Sequence, residues 1–480
     1  MGVLEGLKPK SVFTYFEEIA GIPHGSHDTK MISDYVAEFA SKRGLRFIQD
    51  AFNNVIVWKD GSKGFEGSET VILQGHMDMV CEKEDGYVHD FHVDPLKLEL
   101  NNGIVSARGT TLGGDDGIAI AYMLALLDSD EIPHPPLECV FTVDEEVGML
   151  GAAAMDMSVL EGRRMINIDS EEEGYLLVSC AGGVRANISL SLQRRKDKGT
   201  LCKICVSGLT GGHSGVEIDK QRGNANILTA RLVEEVLAKG DARLCGINGG
   251  MADNAIPRKA EAVLVTSDFS AVQEIVASKA TALKAEYRLS DPGMEISCEE
   301  IGAEECNSFV DDCARQAITL MRCLPNGIQR MSLDIPGLVQ TSLNMGIVQT
   351  TDTALSISYA VRSSLESEKQ ELTDRIELLA HALGATVSYS GPYPAWEYPE
   401  TSPLRDTMCE VFERMYGRKP VIQALHAGVE CGLFAGKLGN LDAVSFGPDM
   451  KDIHTPQESL DSASVARTWD YLLEVLKELK

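Results

Sequence analysis

No run of apolar residues in this 480-residue chain approaches the ~18 that a membrane-spanning helix needs, which excludes an integral helical membrane protein. The first residues lack the basic-then-apolar pattern of a secretory leader, and Gly6 stands where a myristoylation signal wants Ser or Thr. The chain is therefore expected in the cytoplasm. Positive charge is in short supply: 44 Lys and Arg face 72 Asp and Glu, a net charge of −28. That balance repels phosphate backbones, argues against a nucleic-acid partner, and suits a site that gathers cations. Cysteine is sparse, 12 residues with no dense spacing, so reduced and buried thiols are expected rather than a disulfide framework. Cys202 and Cys205 form a Cys-x-x-Cys, but in the alternating, strand-like LCKICVSG and without a second pair at zinc-finger spacing. Fixed-period repeats and low-complexity tracts are absent as well.

What is present is a globular composition, 44% hydrophobic and 24% charged, in a chain too long for one core. Two domains are expected, or one interrupted by another. Helical spacing of apolar residues marks residues 9–21 and 31–43, and a strand pair follows at 45–49 and 54–59. The apolar run VILQG at 71–75 then reads as a buried strand that ends on His76-Met77-Asp78. Side chains two apart on a strand share a face, so His76 and Asp78 project together from its carboxyl end, where open α/β sheets place their ligands. One can bind a metal while the other holds the imidazole, although a plain solvated strand end has the same appearance.

Later segments repeat the design. GGDDG places Asp115 and Asp116 in a glycine turn before an apolar helix at 118–127; one of them caps that helix, or a carboxylate reaches between two cations. A strand at 137–143 runs into Asp144, Glu145 and Glu146, three adjacent carboxylates that require something positive nearby, or that favour a helix start near Gly148. A strand at 164–168 delivers Asp169 in the same way. His89 and His92 form a His-x-x-His, yet Gly86, Asp90, Asp94 and Pro95 surround them and predict a loop. From about residue 184 to 393 the chain alternates short strands with two long helical patterns, 226–239 and 271–285, which predicts an inserted α+β domain carrying GLTGGHSG, DNAIPR and Arg362. A helix at 403–416 and an apolar run at 443–446 resume the first style, and His454 follows in a glycine- and proline-rich loop.

The order HMD, GGDDG, DEEVG, IDSEEEG, GGHSG and IHTP resembles the M20 family of co-catalytic metallopeptidases, and within it the aminoacyl-histidine dipeptidases, along nearly the whole chain. The resemblance implies an α/β zinc-peptidase catalytic domain with a mixed sheet and flanking helices, residues 1–184 and 394–480, interrupted by an α+β lid and dimerisation domain, residues 185–393. It implies two Zn2+ per subunit, with Co2+ or Mn2+ as substitutes, bridged by Asp115. His76 and Asp169 would complete one ion's shell, Glu146 and His454 the other's. Imidazole and carboxylate suit zinc, and a bridging hydroxide would cancel the one positive charge left by three carboxylates on two dications. Glu145 is then the general base and Asp78 the support of His76.

In the inserted domain, His213 would polarise the substrate carbonyl from within the subunit or from the partner of a homodimer. Asn254 would assist it, and Arg362 would bind a substrate carboxylate. His426 and Glu430 are assigned to substrate binding, with a place in the core as the alternative. Asp116 departs from the Asn expected in many relatives. The implied activity is hydrolysis of short unblocked peptides, chiefly dipeptides including Xaa-His. A tripeptidase, carboxypeptidase or amide deacylase on the same ligand set is the alternative. A silent peptide-binding relative would have lost Glu145 or a ligand, and none is missing.

Overall fold

The computed structural model describes residues 2–480. The chain divides into two units, the first made of the chain up to Ser179 with Tyr398–Ala424 and Val429–Lys480, the second of Cys180–Glu397 with Leu425–Gly428. The insertion thus begins at 180 rather than 185 and ends at 397 rather than 393. It also includes a four-residue excursion that sequence style did not reveal.

The first unit is built on an eight-stranded sheet. In chain order its strands are β1 (Arg46–Gln49), β2 (Val55–Lys59), β3 (Val71–His76), β4 (Leu137–Thr142), β5 (Arg164–Asn167), β6 (Tyr175–Cys180), β7 (Val421–Leu425) and β8 (Asp442–Ser445). In space the order is β1-β2-β4-β3-β5-β8-β6-β7. Strands β4, β3, β5 and β8 run parallel, with β3 between β4 and β5. Every residue of β3 and β4 is buried, as expected for strands covered on both faces, and this is why they read as unbroken apolar runs. Their carboxyl ends lie side by side, His76 opposite Thr142 and Gln74 opposite Asn167.

The helix Gly114–Asp128 packs on this sheet and is buried throughout up to Leu127. Gly75 permits the approach, because a Cβ there would lie 2.5 Å from Asp116 Oδ2 and 2.6 Å from Ala119 Cβ. Tyr122 donates its hydroxyl to the Val465 carbonyl at 2.8 Å and stacks on Trp469, which joins this helix to Ser462–Glu478.

The second unit carries a nine-stranded sheet in which all recorded pairings are antiparallel. Among the described residues four α-helices pack on it: Ala225–Lys239, Phe269–Glu286, Asp311–Cys323 and Glu366–Ala382. Only the first two were expected from the sequence. Cys202 lies in the core and Cys205 is half-buried on the strand Arg194–Ser207. Three positions apart on a strand, they point to opposite faces and do not act as a pair.

Candidate metal centre and active site

His76 ends β3 and is 1% exposed. Its Nδ1 donates to the backbone carbonyl of Asp78 at 2.9 Å, which leaves Nε2 with a lone pair. That lone pair faces Asp115 Oδ1 at 3.1 Å and Asp169 Oδ1 at 3.8 Å. Acceptors facing one another repel unless a proton or a cation stands between them. Burial would lower the proton affinity of His76, but the hydrogen bonds to Asp115 and Asp78 and the charge of Asp169 overcome it and raise the pKa well above the usual imidazole range.

The other oxygen of Asp115, Oδ2, lies 3.4 Å from His454 Nε2, and that nitrogen lies 2.8 Å from Glu146 Oε1. The two oxygens of Asp115 therefore serve two different imidazoles. Burial would raise its pKa, but the His454 and His76 contacts hold it below the usual carboxylate range. His454, held in its loop at φ 60°, is raised to about 10 by Asp115 and Glu146. Around a tetrahedral zinc with bonds of ~2.0–2.1 Å, ligand atoms sit about 3.3 Å apart. The separations of 2.8 to 3.8 Å bracket that spacing. Ligand atoms of His76, Asp115 and Glu146 lie within 4.8 Å of one another, as do those of His76, Asp116 and Asp169. The donor set fits two borderline-soft dications.

All five predicted ligands thus converge from three strand ends, one glycine turn and one loop. Asp116, which sequence reasoning left outside the ligand set, joins them. Its Oδ2 accepts the His76 backbone N–H at 3.1 Å, while its buried Oδ1 has no partner in the protein. Neither aspartate caps the helix: both have non-helical backbone angles, and no side-chain cap bond forms. Asp169 and Asp116 are each pushed well above the usual carboxylate range, chiefly by burial and then by neighbouring carboxylates. Buried acids so close together resist ionising, and dications among them would favour their charged forms.

Asp78 does more than hold His76. Only 1% exposed, it accepts Ser26 Oγ at 2.8 Å, and its two oxygens take the backbone N–H groups of Glu145 at 3.0 Å and Glu146 at 3.4 Å. It fixes the loop that carries both glutamates. Glu145 is raised to about 8, mainly by burial and also by Glu430, Glu146 and Asp115 against the pull of His76. Glu430 has the core place that was the alternative to substrate binding. It is fully buried, and its Oε2 receives Gln74 Nε2 at 2.5 Å and Thr142 Oγ1 at 2.6 Å between β3 and β4.

In the second unit, His213 Nδ1 accepts the N–H groups of Gly215 and Val216, both at 3.2 Å, so the proton of the neutral ring is on Nε2. Burial and the charge of Arg362 lower its pKa and keep it neutral. Asn254 lies beside it, its carbonyl accepting Ser214 N–H at 2.7 Å, with its side chain exposed. Arg362, 8% exposed, donates from Nη1 to Tyr393 Oη at 2.8 Å, and its buried Nε has no partner in the protein. His426, 6% exposed, places Nε2 2.7 Å from Ser342 Oγ, and burial with Arg362 and His213 brings its pKa down to about 3. Ser342 pairs with Arg362 across adjacent strands, a neighbourhood that no local motif disclosed. His89 packs edge-on against Phe91 while His92 is exposed on Asp28, so the His-x-x-His is a loop and not a ligand pair.

Strand ends, a carboxylate that faces two imidazoles and a cluster of buried acids make up a candidate metal centre. The chain belongs to peptidase family M20/M25/M40, whose profile matches residues 72–478. Among its relatives is the cytosol non-specific dipeptidase of Escherichia coli (strain K12), 35% identical over 483 aligned positions that cover 100% of this chain and 99% of that protein. The crystal structure of aminoacylhistidine dipeptidase from Vibrio alginolyticus superimposes with a TM-score of 0.92 at 34% identity, covering 99% of this chain and 98% of the other. Aminopeptidase PepT from Bacillus cereus shares the fold at 16% identity and a TM-score of 0.57, over 98% and 99% of the two chains.

Proposed function

We propose that this protein is a cytoplasmic, homodimeric, zinc-dependent dipeptidase of broad side-chain preference that includes Xaa-His substrates. The observation that carries the reading is Asp115, whose two oxygens each face a different imidazole within a cluster of buried acids. Asp115 would be shared between two Zn2+, with His76 and Asp169 holding one and Glu146 and His454 the other. Bound there, the dications would supply Lewis-acid polarisation of the peptide carbonyl and acidify a water molecule. Support for dipeptides comes from the names of the two relatives of about one-third identity, and support for the cytoplasm from the name of the Escherichia coli one. Among the described residues no helix is long and apolar enough to cross a membrane.

The chain's own residues do the rest. Glu145, held by Asp78 through its backbone, takes the proton of the attacking water at a carboxylate oxygen and passes it to the leaving amine. His213 presents Nε2–H as a neutral donor for the developing oxyanion, with Asn254 beside it. Arg362, fixed by Tyr393, takes the free carboxylate one residue beyond the scissile bond.

A dipeptide, its C-terminal amide and a tetrapeptide of shared sequence test this reading by chromatography of the released amino acids. The dipeptide should be cleaved, and amidation should raise KM or abolish turnover. Arg362→Ala should reproduce that loss on the free dipeptide. Equal turnover of all three would rule out a dipeptidase, and preference for N-acyl amino acids would make it a deacylase.

A further inference from the structure

Glu458 has no part in the chemistry above, yet it is 3% exposed and lies four positions after His454. Its Oε2 accepts the backbone N–H groups of Leu112 at 2.7 Å and Gly113 at 3.0 Å, and its Oε1 those of Gly114 at 2.8 Å and Asp115 at 3.2 Å. Four successive N–H groups converge on one anion because Gly113 takes φ 67°, a left-handed turn that folds the backbone into an anion-binding concavity. A Cβ at Gly114 would stand 3.2 Å from Oε1, so the second glycine of GGDDG leaves room for this carboxylate. Glu458 also donates its own N–H to the Thr455 carbonyl at 3.1 Å, closing the turn that follows His454.

One buried carboxylate thus ties the loop of one candidate ligand to the turn of another, Glu458 standing 343 positions from Asp115. Glu458 holds the backbone of 112–115, and from that backbone Asp115 turns Oδ1 to His76 and Oδ2 to His454.

We infer that Glu458 is a positioning residue for the metal centre, aiming the Asp115 carboxylate so that its two oxygens serve two ions. The inference rests on the reading of Asp115 as the shared ligand. In Glu458→Gln the side-chain size is kept, but only one oxygen accepts and the amide N–H groups face backbone donors. Metal affinity by competition with a chromophoric chelator should fall ~10- to 100-fold, the scale for groups that orient metal ligands. The visible spectrum of the Co2+-loaded protein should change, and kcat should fall with KM little altered.

Wild-type affinity and an unchanged cobalt spectrum in Glu458→Gln, with only the metal-free melting temperature lowered, would reduce Glu458 to a structural tie and overturn the inference. Should that variant fail to fold, Gly114→Ala crowds the same carboxylate, and the same two readouts decide. Wild-type protein that takes up no divalent ion would sink the reading of the site itself, and the inference with it.

Discussion

Glu145 and Glu146 are neighbours on one short loop, and Asp78 holds both backbones, yet their carboxylates have different surroundings. Glu146 contacts His454 at 2.8 Å, while Glu145 makes no imidazole contact of that kind and is raised by burial. Two substitutions of equal size should therefore fail differently. Glu145→Gln is expected to keep two bound ions and lose on the order of 10²-fold or more in kcat, the scale for a positioned base. Glu146→Gln is expected to lose metal. Elemental analysis beside steady-state kinetics separates the two, and metal loss following Glu145 instead would exchange their roles. The difference between Asp and Asn at position 116 belongs to this scale too. Asp116 spends one oxygen on the His76 N–H and keeps the other buried within the cluster, so the departure from the expected Asn adds charge where the ions would lie.

At the scale of elements, the excursion Leu425–Gly428 is pinned to the strand Val339–Thr350 by the contact of His426 with Ser342. His426 is neutral in the folded protein down to about 3, because burial first, and then Arg362 and His213, disfavour its charged form. Unfolded, it titrates near the ordinary value of ~6.5. Between those values the unfolded chain binds the extra proton, so stability falls as pH drops, by up to about 1.4 kcal/mol per pH unit, and above ~6.5 the residue contributes no pH dependence. Denaturant unfolding of the second unit, followed from pH 7 to 4, should show this slope, and His426→Gln should flatten it. An unchanged slope in the variant would assign the acid sensitivity elsewhere.

The same scale explains what the sequence disclosed. Strands β3, β4 and β5 were legible because burial on both faces leaves an apolar run that stops abruptly at a polar ligand. The helices Asp311–Cys323 and Glu366–Ala382 were missed although their periodicity was present: the first buries Cys313, Ala314, Ala317, Ile318, Leu320 and Met321 at helical spacing, and the second Leu372, Thr373, Ile376 and Ala380. The links of Glu458 to 112–115, of His426 to Ser342 and of Glu430 to Gln74 join residues 84 to 356 positions apart, and no local spacing encodes them.

For the molecule as a whole, the net charge of −28 and the acid-rich centre favour cation uptake at any accessible site of the right chemistry. Chelation should abolish turnover, and Zn2+, Co2+ or Mn2+ should restore it. Because ions that bind only the folded protein stabilise it by mass action, the first unit should gain about 2.7 kcal/mol of stability at 100 times the dissociation constant, and its melting temperature should rise with metal concentration. Full activity in metal-free protein would end the metallopeptidase reading. The strand order carries a consequence for biosynthesis. Strand β8 lies between β5 and β6, which precede it in the chain by the whole inserted unit. At about 5–20 residues per second, a ribosome that has finished residue 180 needs roughly 13–50 s to reach residue 442. Through that interval β5 and β6 have unpaired edges, the kind of surface that chaperones cover and that aggregates otherwise. His454 and Glu458 are made later still, so a nascent chain lacks these two residues of the candidate metal centre until after β8 has been made.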